Sequence, residues 1–136
     1  MEYTTKSPEE TAKLAEKFLK ENLNARIIGL SGDLGSGKSV FVKGAAKYLG
    51  IKKNVTSPTF VIAKIYEGSR GKLVHIDAYR LKDENDLETI GFNEFTNDPG
   101  NYIFLEWPEQ VFNKMPDKIK IIKFEYLGEN ERKISW

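Results

Sequence analysis

The chain has 136 residues, 40% of them apolar and 30% charged, which is an ordinary size and balance for one globular domain with a single core. Its 21 basic and 20 acidic side chains give a formal net charge of +1, which argues against a protein that binds nucleic acid on its own. The chain has no cysteine, its N-terminus lacks the apolar core of a signal peptide, and no stretch approaches a membrane span of roughly 20 apolar residues, so we expect a cytoplasmic protein.

The predicted elements begin with a helix that runs to about Leu23. Ser7 can cap this helix, Pro8 suits its first position, and Glu10 completes a capping box. The remaining elements, in chain order, are strand 25–31, helix 38–49, strands 59–66 and 72–77 paired as a hairpin, helix 83–90, strand 101–105, and strands 119–126 and 132–136. With no internal repeat and no linker, this order predicts one α/β domain over residues 1–136 with a mixed sheet.

A glycine-rich segment separates the first predicted strand from the second helix. Residues 32–39, Gly-Asp-Leu-Gly-Ser-Gly-Lys-Ser, match the pattern G-x-x-x-x-G-K-[ST] in full. In such a loop the glycines turn backbone N–H groups onto phosphates, and the following helix adds its positive N-terminal end. The motif therefore predicts a P-loop NTPase-like domain of three layers that binds a nucleoside triphosphate, favouring ATP, with magnesium (Mg2+).

Each loop residue then has an expected role. Lys38 should reach the β- and γ-phosphates from an exposed turn, and the Ser39 hydroxyl should coordinate magnesium. The expected nucleotide contacts are Asp33, Leu34, Gly35, Ser36, Gly37, Lys38, Ser39 and Val40.

Two acidic residues follow apolar runs that read as buried strands. Glu106 comes directly after residues 102–105, and Asp77 comes directly after residues 73–76. A P-loop protein needs an acidic residue at the end of a neighbouring strand to hold the magnesium shell. We assign Glu106 to the metal, since the run before it is more continuously apolar, and Asp77 to the metal's water shell or to the attacking water. The sequence leaves open which of the two is the main magnesium carboxylate.

A threonine, the histidine and the arginines could also contribute to the site. Thr59 follows Ser57 and Pro58, and its hydroxyl could reach the γ-phosphate or magnesium, or could simply begin a strand. His75, the only histidine, is interpreted as structural rather than catalytic. None of the four arginines lies in the loop, although Arg80 comes soon after Asp77, so fast unaided hydrolysis is not expected and a partner should supply the missing positive charge.

Four motifs in series resemble the TsaE (YjeE) family in order and spacing. They are residues 32–39, Ser57-Pro58-Thr59-Phe60, His75-Ile76-Asp77-Ala78-Tyr79-Arg80-Leu81 and Leu105-Glu106-Trp107-Pro108-Glu109. The resemblance runs from about Ser7 to Arg132. It differs at Val40, where the family usually has a second hydroxyl residue, and at Ser36, where the family usually has alanine.

The resemblance implies a small bacterial ATPase required for threonylcarbamoyladenosine modification of tRNA, with weak hydrolysis by the isolated protein. Lys38, Asp77, Glu106 and Thr59 would then act in hydrolysis, and Ser39 and Glu106 would hold the metal. The resemblance also implies a complex with TsaB and TsaD subunits, in which TsaD transfers the threonylcarbamoyl group. The ATPase cycle would assemble or reset that complex, and tRNA would be met only indirectly.

Rival functions share the same loop. A small-molecule or nucleoside kinase usually adds an arginine-bearing lid, for which a chain of 136 residues has little room. A GTPase usually reads guanine with Asn-Lys-x-Asp, whereas residues 113–116 end in Pro116. A nucleotide-dependent assembly module with incidental hydrolysis also remains an alternative.

Overall fold

The strands of the protein form one mixed sheet. The computed structural model describes residues 1–56, 58 and 62–136. The strands in these ranges are β1 (Glu2–Thr5), β2 (Ile27–Ser31), β3 (Ala63–Gly68), β4 (Gly71–Asp77), β5 (Asn101–Glu106), β6 (Ile119–Tyr126) and β7 (Arg132–Ser135). Their order across the sheet is β1-β7-β6-β2-β5-β4-β3. The four central strands, β6, β2, β5 and β4, run parallel, and β1, β7 and β3 pair antiparallel at the margins.

Helices cover both faces of this sheet. They are α1 (Pro8–Glu21), α2 (Lys38–Tyr48), α3 (Glu84–Thr89) and α4 (Phe92–Asn97), with a short 3-10 turn at Pro108–Gln110. One core cluster joins α1 and α2 to the sheet through side chains such as Phe18 and Phe41. A second cluster on the opposite face includes Leu87 of α3 and Phe92 of α4. The predicted α/β class with a mixed sheet is confirmed, and the two cores give it three layers.

The start of α1 follows the predicted cap closely. The Ser7 Oγ accepts a hydrogen bond from the Glu10 N–H at 3.1 Å. The Glu10 carboxylate reaches back to the N–H of Lys6 at 3.0 Å rather than to that of Ser7, so the return bond of the box is displaced by one residue. The helix ends at Glu21, where the Asn22 side chain donates to the Phe18 carbonyl, two residues before the predicted end.

Several predicted elements differ from the observed ones. The strand predicted over residues 59–66 is observed as Ala63–Gly68, and residues 59–61 lie outside the described part of the chain. Strand β1 is absent from the predicted elements, because four residues are too few to show a clear alternation of apolar and polar side chains. Its partner β7 lies near the other end of the chain, so no hairpin pattern connects the two strands. Helix α4 is also absent from the predicted elements, since a glycine such as Gly91 usually marks the end of a helix. In the structure Gly91 follows α3 and also caps the start of α4.

The strand order fixes where the functional side chains lie. Strands β2, β5 and β4 are parallel neighbours, so their carboxyl ends meet at one edge of the sheet. There Glu106 pairs with Leu30 on one side and with Asp77 on the other. The glycine-rich loop leaves β2 at this edge and leads into α2. Ligands of open parallel sheets bind at this kind of edge. In the described ranges no helix combines the length and the apolar composition that crossing a membrane requires.

Candidate phosphate-binding site

The loop between β2 and α2 depends on glycines for two different reasons. A Cβ atom added at Gly32 would lie 2.6 Å from the Phe124 carbonyl oxygen, so Gly32 is needed for close packing against β6. Gly35 has a φ of 78° and would place its Cβ in open space, with no atom within 4 Å. Gly37, with a φ of 105°, precedes the first residue of α2. The loop is therefore packed at its base and open at Gly35.

Lys38 is buried, contrary to the expectation of an exposed turn. Its side chain is 5% exposed, because the loop encloses the start of α2 and Trp107 lies over the amine. The Lys38 Nζ donates to the Gly32 carbonyl at 2.5 Å and lies 4.0 Å from the centre of the Trp107 ring. Burial lowers the pKa of Lys38 below its ordinary value, while the negative charges of Glu106 and Asp77 oppose that shift. The amine is thus a desolvated cation held inside the loop.

The two strand-end carboxylates lie on paired strands in different environments. Glu106 is enclosed, with a side chain that is 8% exposed, and its Oε1 lies 4.0 Å from the Lys38 Nζ. Its Oε2 lies 2.6 Å from the Nε2 of His75. Asp77 is only half-buried, and its Oδ1 accepts a hydrogen bond from the Tyr79 N–H at 3.0 Å. The structure therefore brings the predicted residues Lys38, Asp77 and Glu106 together at one edge.

The remaining predicted contacts surround the same loop. Asp33, Leu34 and Gly35 are exposed at its tip, and Ser39 is exposed in the first turn of α2. Ser36 is buried, and its hydroxyl oxygen has no hydrogen-bond partner within the described ranges. The half-buried Val40 follows Ser39 on α2. The predicted role of Thr59 falls outside the described residues.

Trp107 has a left-handed backbone conformation that no local sequence pattern predicts. Its φ of 60° and ψ of 51° are left-handed, which costs a residue other than glycine of order 1–3 kcal/mol. Its N–H donates to the Leu30 carbonyl at 3.1 Å, and its ring lies 5.1 Å from that of Tyr79. This turn is what brings the ring over Lys38 directly after Glu106.

Arg132 is a second neighbour of the loop that sequence reasoning did not place there. Its side chain packs against Gly37, where an added Cβ would lie 3.4 Å from the Arg132 Cγ. Its Nη1 donates to the carbonyls of Gly128 and Glu131 at 2.6 and 2.8 Å, so the guanidinium is tied to the β6–β7 turn. Arg132 is 95 positions from Gly37 in the sequence, and no motif links the two. Arg80, in contrast, is exposed beyond Asp77.

The donor set fits a metal that is shared with a bound phosphate. Across the described ranges, no group of three or more His, Asp or Glu side chains could enclose a cation. Magnesium in phosphate-transfer sites usually keeps one or two protein ligands and takes the rest from waters and substrate phosphates. Glu106 and the Ser39 hydroxyl, at the sheet edge and at the start of α2, would be enough for such a metal. The Ser36 hydroxyl, which has no partner among the described residues, and the desolvated Lys38 amine suit the phosphates.

The fold places a glycine-rich loop between a central parallel strand and the helix that covers it, which makes this an α/β protein of the P-loop kind. The family model described as threonylcarbamoyl adenosine biosynthesis protein TsaE matches residues 5–134. The chain belongs to the TsaE family.

Individual relatives agree with this assignment. The tRNA threonylcarbamoyladenosine biosynthesis protein TsaE of Bacillus subtilis is 37% identical over 139 residues, which cover 100% of this chain and 84% of the relative. The protein of the same name from Aquifex aeolicus is 39% identical, with 98% of this chain and 92% of the relative covered. The crystal structure of Bacillus subtilis YdiB superposes with a TM-score of 0.68 at 31% identity, covering 98% of this chain and 82% of that one.

Proposed function

We propose that this chain binds ATP with magnesium at residues 32–39, hydrolyses it slowly, and serves threonylcarbamoyladenosine modification of tRNA in the cytoplasm. The observation that carries the proposal is the buried Lys38 amine, held inside a glycine-rich loop beside Glu106, whose partner on the neighbouring strand is Asp77. Its closest described acceptor is the neutral Gly32 carbonyl, whereas Oε1 of Glu106 lies 4.0 Å away on a carboxylate that is also held by His75. A desolvated cation of this kind is stabilised by an anion, because the local dielectric is low.

The loop offers the other features that a triphosphate requires. Gly35 leaves open space above the loop, and α2 directs its positive end toward that space. Ser36 adds a buried hydroxyl without a described partner. Each feature alone is common in proteins, but their meeting around Lys38 favours phosphate binding over a merely structural turn.

The carboxylates would divide the work around magnesium, which supplies positive charge to the transferring phosphoryl group when it is bound. Glu106 and Ser39 would hold the metal, since Glu106 is enclosed beside Lys38 and Ser39 lies in the first turn of α2. Asp77 is more open to solvent, which suits a residue that orients a water molecule. Thr59, if its hydroxyl approaches the phosphates, would sense the nucleotide.

Slow hydrolysis is proposed because no described arginine is ready to reach the phosphates. The Nη1 of Arg132 donates to backbone carbonyls of the β6–β7 turn, which holds the guanidinium there although its Nε has no described partner, and Arg80 is exposed beyond the strand end. In phosphoryl transfer a missing arginine costs a factor of about 10³–10⁵. We infer that TsaB- and TsaD-type partner subunits complete the site, and that the ATPase cycle assembles or resets their complex. With a net charge of +1, the chain would leave most tRNA contacts to those subunits.

Lys38→Met tests this function directly, since methionine keeps the buried stem and removes the amine. ATP with magnesium is titrated calorimetrically into the wild type, the variant and a control, Lys43→Met, which changes an exposed lysine on the same helix. Loss of charge-assisted hydrogen bonds should weaken ATP binding about 10- to 100-fold in Lys38→Met alone. Equal affinities in all three proteins would overturn the phosphate-loop assignment.

A further inference from the structure

His75 is buried on β4, next to the edge strand β3, and has a single described polar contact. Its side chain is 1% exposed, and its Nε2 lies 2.6 Å from the Glu106 Oε2. Its Nδ1 has no hydrogen-bond partner in the described part of the chain. A purely structural position would be better served by an apolar side chain of similar size, because a buried unpaired nitrogen is unfavourable. The contact with Glu106 is therefore the feature that explains why a histidine occupies this position.

Strand register makes this contact a fixed one. His75 precedes Asp77 by two residues on β4, so both side chains point to the same face of the sheet. On the adjacent parallel strand, Phe104 pairs with His75 and Glu106 pairs with Asp77. Phe104 belongs to the core cluster that includes α1 and α2, so this is the face that α2 covers. The imidazole is therefore held in place by the sheet and the core, independently of the phosphate loop.

The two oxygens of Glu106 consequently have different neighbours. Oε2 is engaged by His75, while Oε1 lies 4.0 Å from the Lys38 amine. When Glu106 is ionised, the short contact requires His75 to donate from Nε2. A glutamate side chain has several rotatable bonds, and this hydrogen bond leaves Oε1 directed at the phosphate loop.

We infer that His75 is a positioning residue: it holds Oε2 of Glu106 and thereby presents Oε1 to the metal and to Lys38. The inference rests on the proposed ATP and magnesium function, and it gives that site a supporting residue beyond the carboxylates. Partners that orient a metal ligand through a hydrogen bond typically change metal affinity or activity by about 10- to 100-fold when they are lost. A structural histidine would affect the stability of the fold without changing the requirement for metal.

The test compares variants of His75 that keep or remove the donor. Glutamine carries its amide nitrogen at the same distance along the side chain as Nε2, whereas leucine has no donor. The measured quantity is the magnesium concentration that gives half-maximal ATP binding, with ATP binding in the absence of magnesium and thermal unfolding measured beside it. His75→Leu should raise that concentration about 10- to 100-fold with little effect on metal-free binding, and His75→Gln should restore most of the loss.

Two controls separate positioning from stability. Asn101→Leu removes another buried side-chain hydrogen bond, to the Phe95 carbonyl, at the opposite end of β5 from Glu106, so it should lower stability and leave the magnesium requirement unchanged. In a Glu106→Ala background, which removes both carboxylate oxygens, His75→Leu should cause no further change in that requirement, because His75 acts through Glu106. Should His75→Leu fail to fold, His75→Asn serves instead, since its amide is one bond too short to replace Nε2.

The outcomes distinguish this inference from the function on which it rests. A wild-type protein whose ATP binding does not respond to magnesium would overturn the proposed function itself. If the wild type responds and His75→Leu or His75→Asn keeps the same magnesium requirement, the positioning role is wrong. The role is equally wrong if the effect persists in full in the Glu106→Ala background.

Discussion

Gly32 and Gly35 lie three residues apart in the phosphate loop and differ in what an added methyl group would meet. At Gly32 the new Cβ would lie 2.6 Å from the Phe124 carbonyl oxygen and 2.8 Å from the Ser36 Oγ. At Gly35 it would meet nothing within 4 Å, although the φ of 78° is left-handed. Replacing each glycine by alanine therefore separates packing at the base of the loop from the open space above it.

The magnitudes follow from these surroundings. Gly35→Ala adds the strain of a left-handed alanine, about 1–2 kcal/mol, of which a reduced entropy of the unfolded chain offsets about 0.4–1 kcal/mol. Gly32→Ala receives the same entropy offset, but it places an alanine at a φ of 156°, which L side chains rarely adopt, and it also forces a methyl group against a backbone oxygen of β6 that no side-chain rotation can move, where overpacking costs about 1–3 kcal/mol. Gly32→Ala should therefore be the less stable variant. Gly35→Ala should remain folded and bind ATP more weakly, because its methyl group enters space that the phosphates would occupy.

Urea denaturation without nucleotide measures the two stabilities, and calorimetric titration with ATP and magnesium measures the affinities. Equal destabilisation by the two substitutions would refute the packing argument at Gly32. Wild-type affinity in Gly35→Ala would refute the idea that the open face of the loop receives the ligand. The shared glycine-to-alanine change serves as the internal control for effects on the unfolded chain.

The remaining predictions concern the carboxylates and the partners. Glu106→Ala should raise the magnesium concentration needed for ATP binding, because the enclosed carboxylate beside Lys38 is lost, and Asp77→Ala should slow hydrolysis more than it weakens binding. Magnesium titrations and phosphate-release assays check both, and a magnesium requirement that changes with Asp77 instead would reverse the assignment. Phosphate release should be slow for the isolated protein and should rise when TsaB- and TsaD-type subunits are added, whereas fast release that these subunits leave unchanged would contradict the proposal. Thr59→Ala should retain ATP binding and lose the stimulation.

Much of the local architecture could be predicted from residues close together in the chain. The cap at Ser7, the limits of β6 and the glycine-rich loop all follow from spacings of a few positions. The apolar runs before Asp77 and Glu106 likewise predicted two strands ending in carboxylates. These predictions succeeded because capping, periodicity and turn chemistry depend mainly on neighbouring residues.

Other features depended on strand order and register, which a single sequence does not contain. The contact between His75 and Glu106 joins residues 31 positions apart, and Arg132 lies against Gly37 because the β6–β7 turn reaches the phosphate loop. Lys38 is buried because a left-handed residue after β5 turns an indole over it. The sequence by itself singled out the residues that we propose to bind a phosphate and a metal. The tertiary structure decided which of them meet, since parallel strands bring together side chains from segments that no local pattern connects.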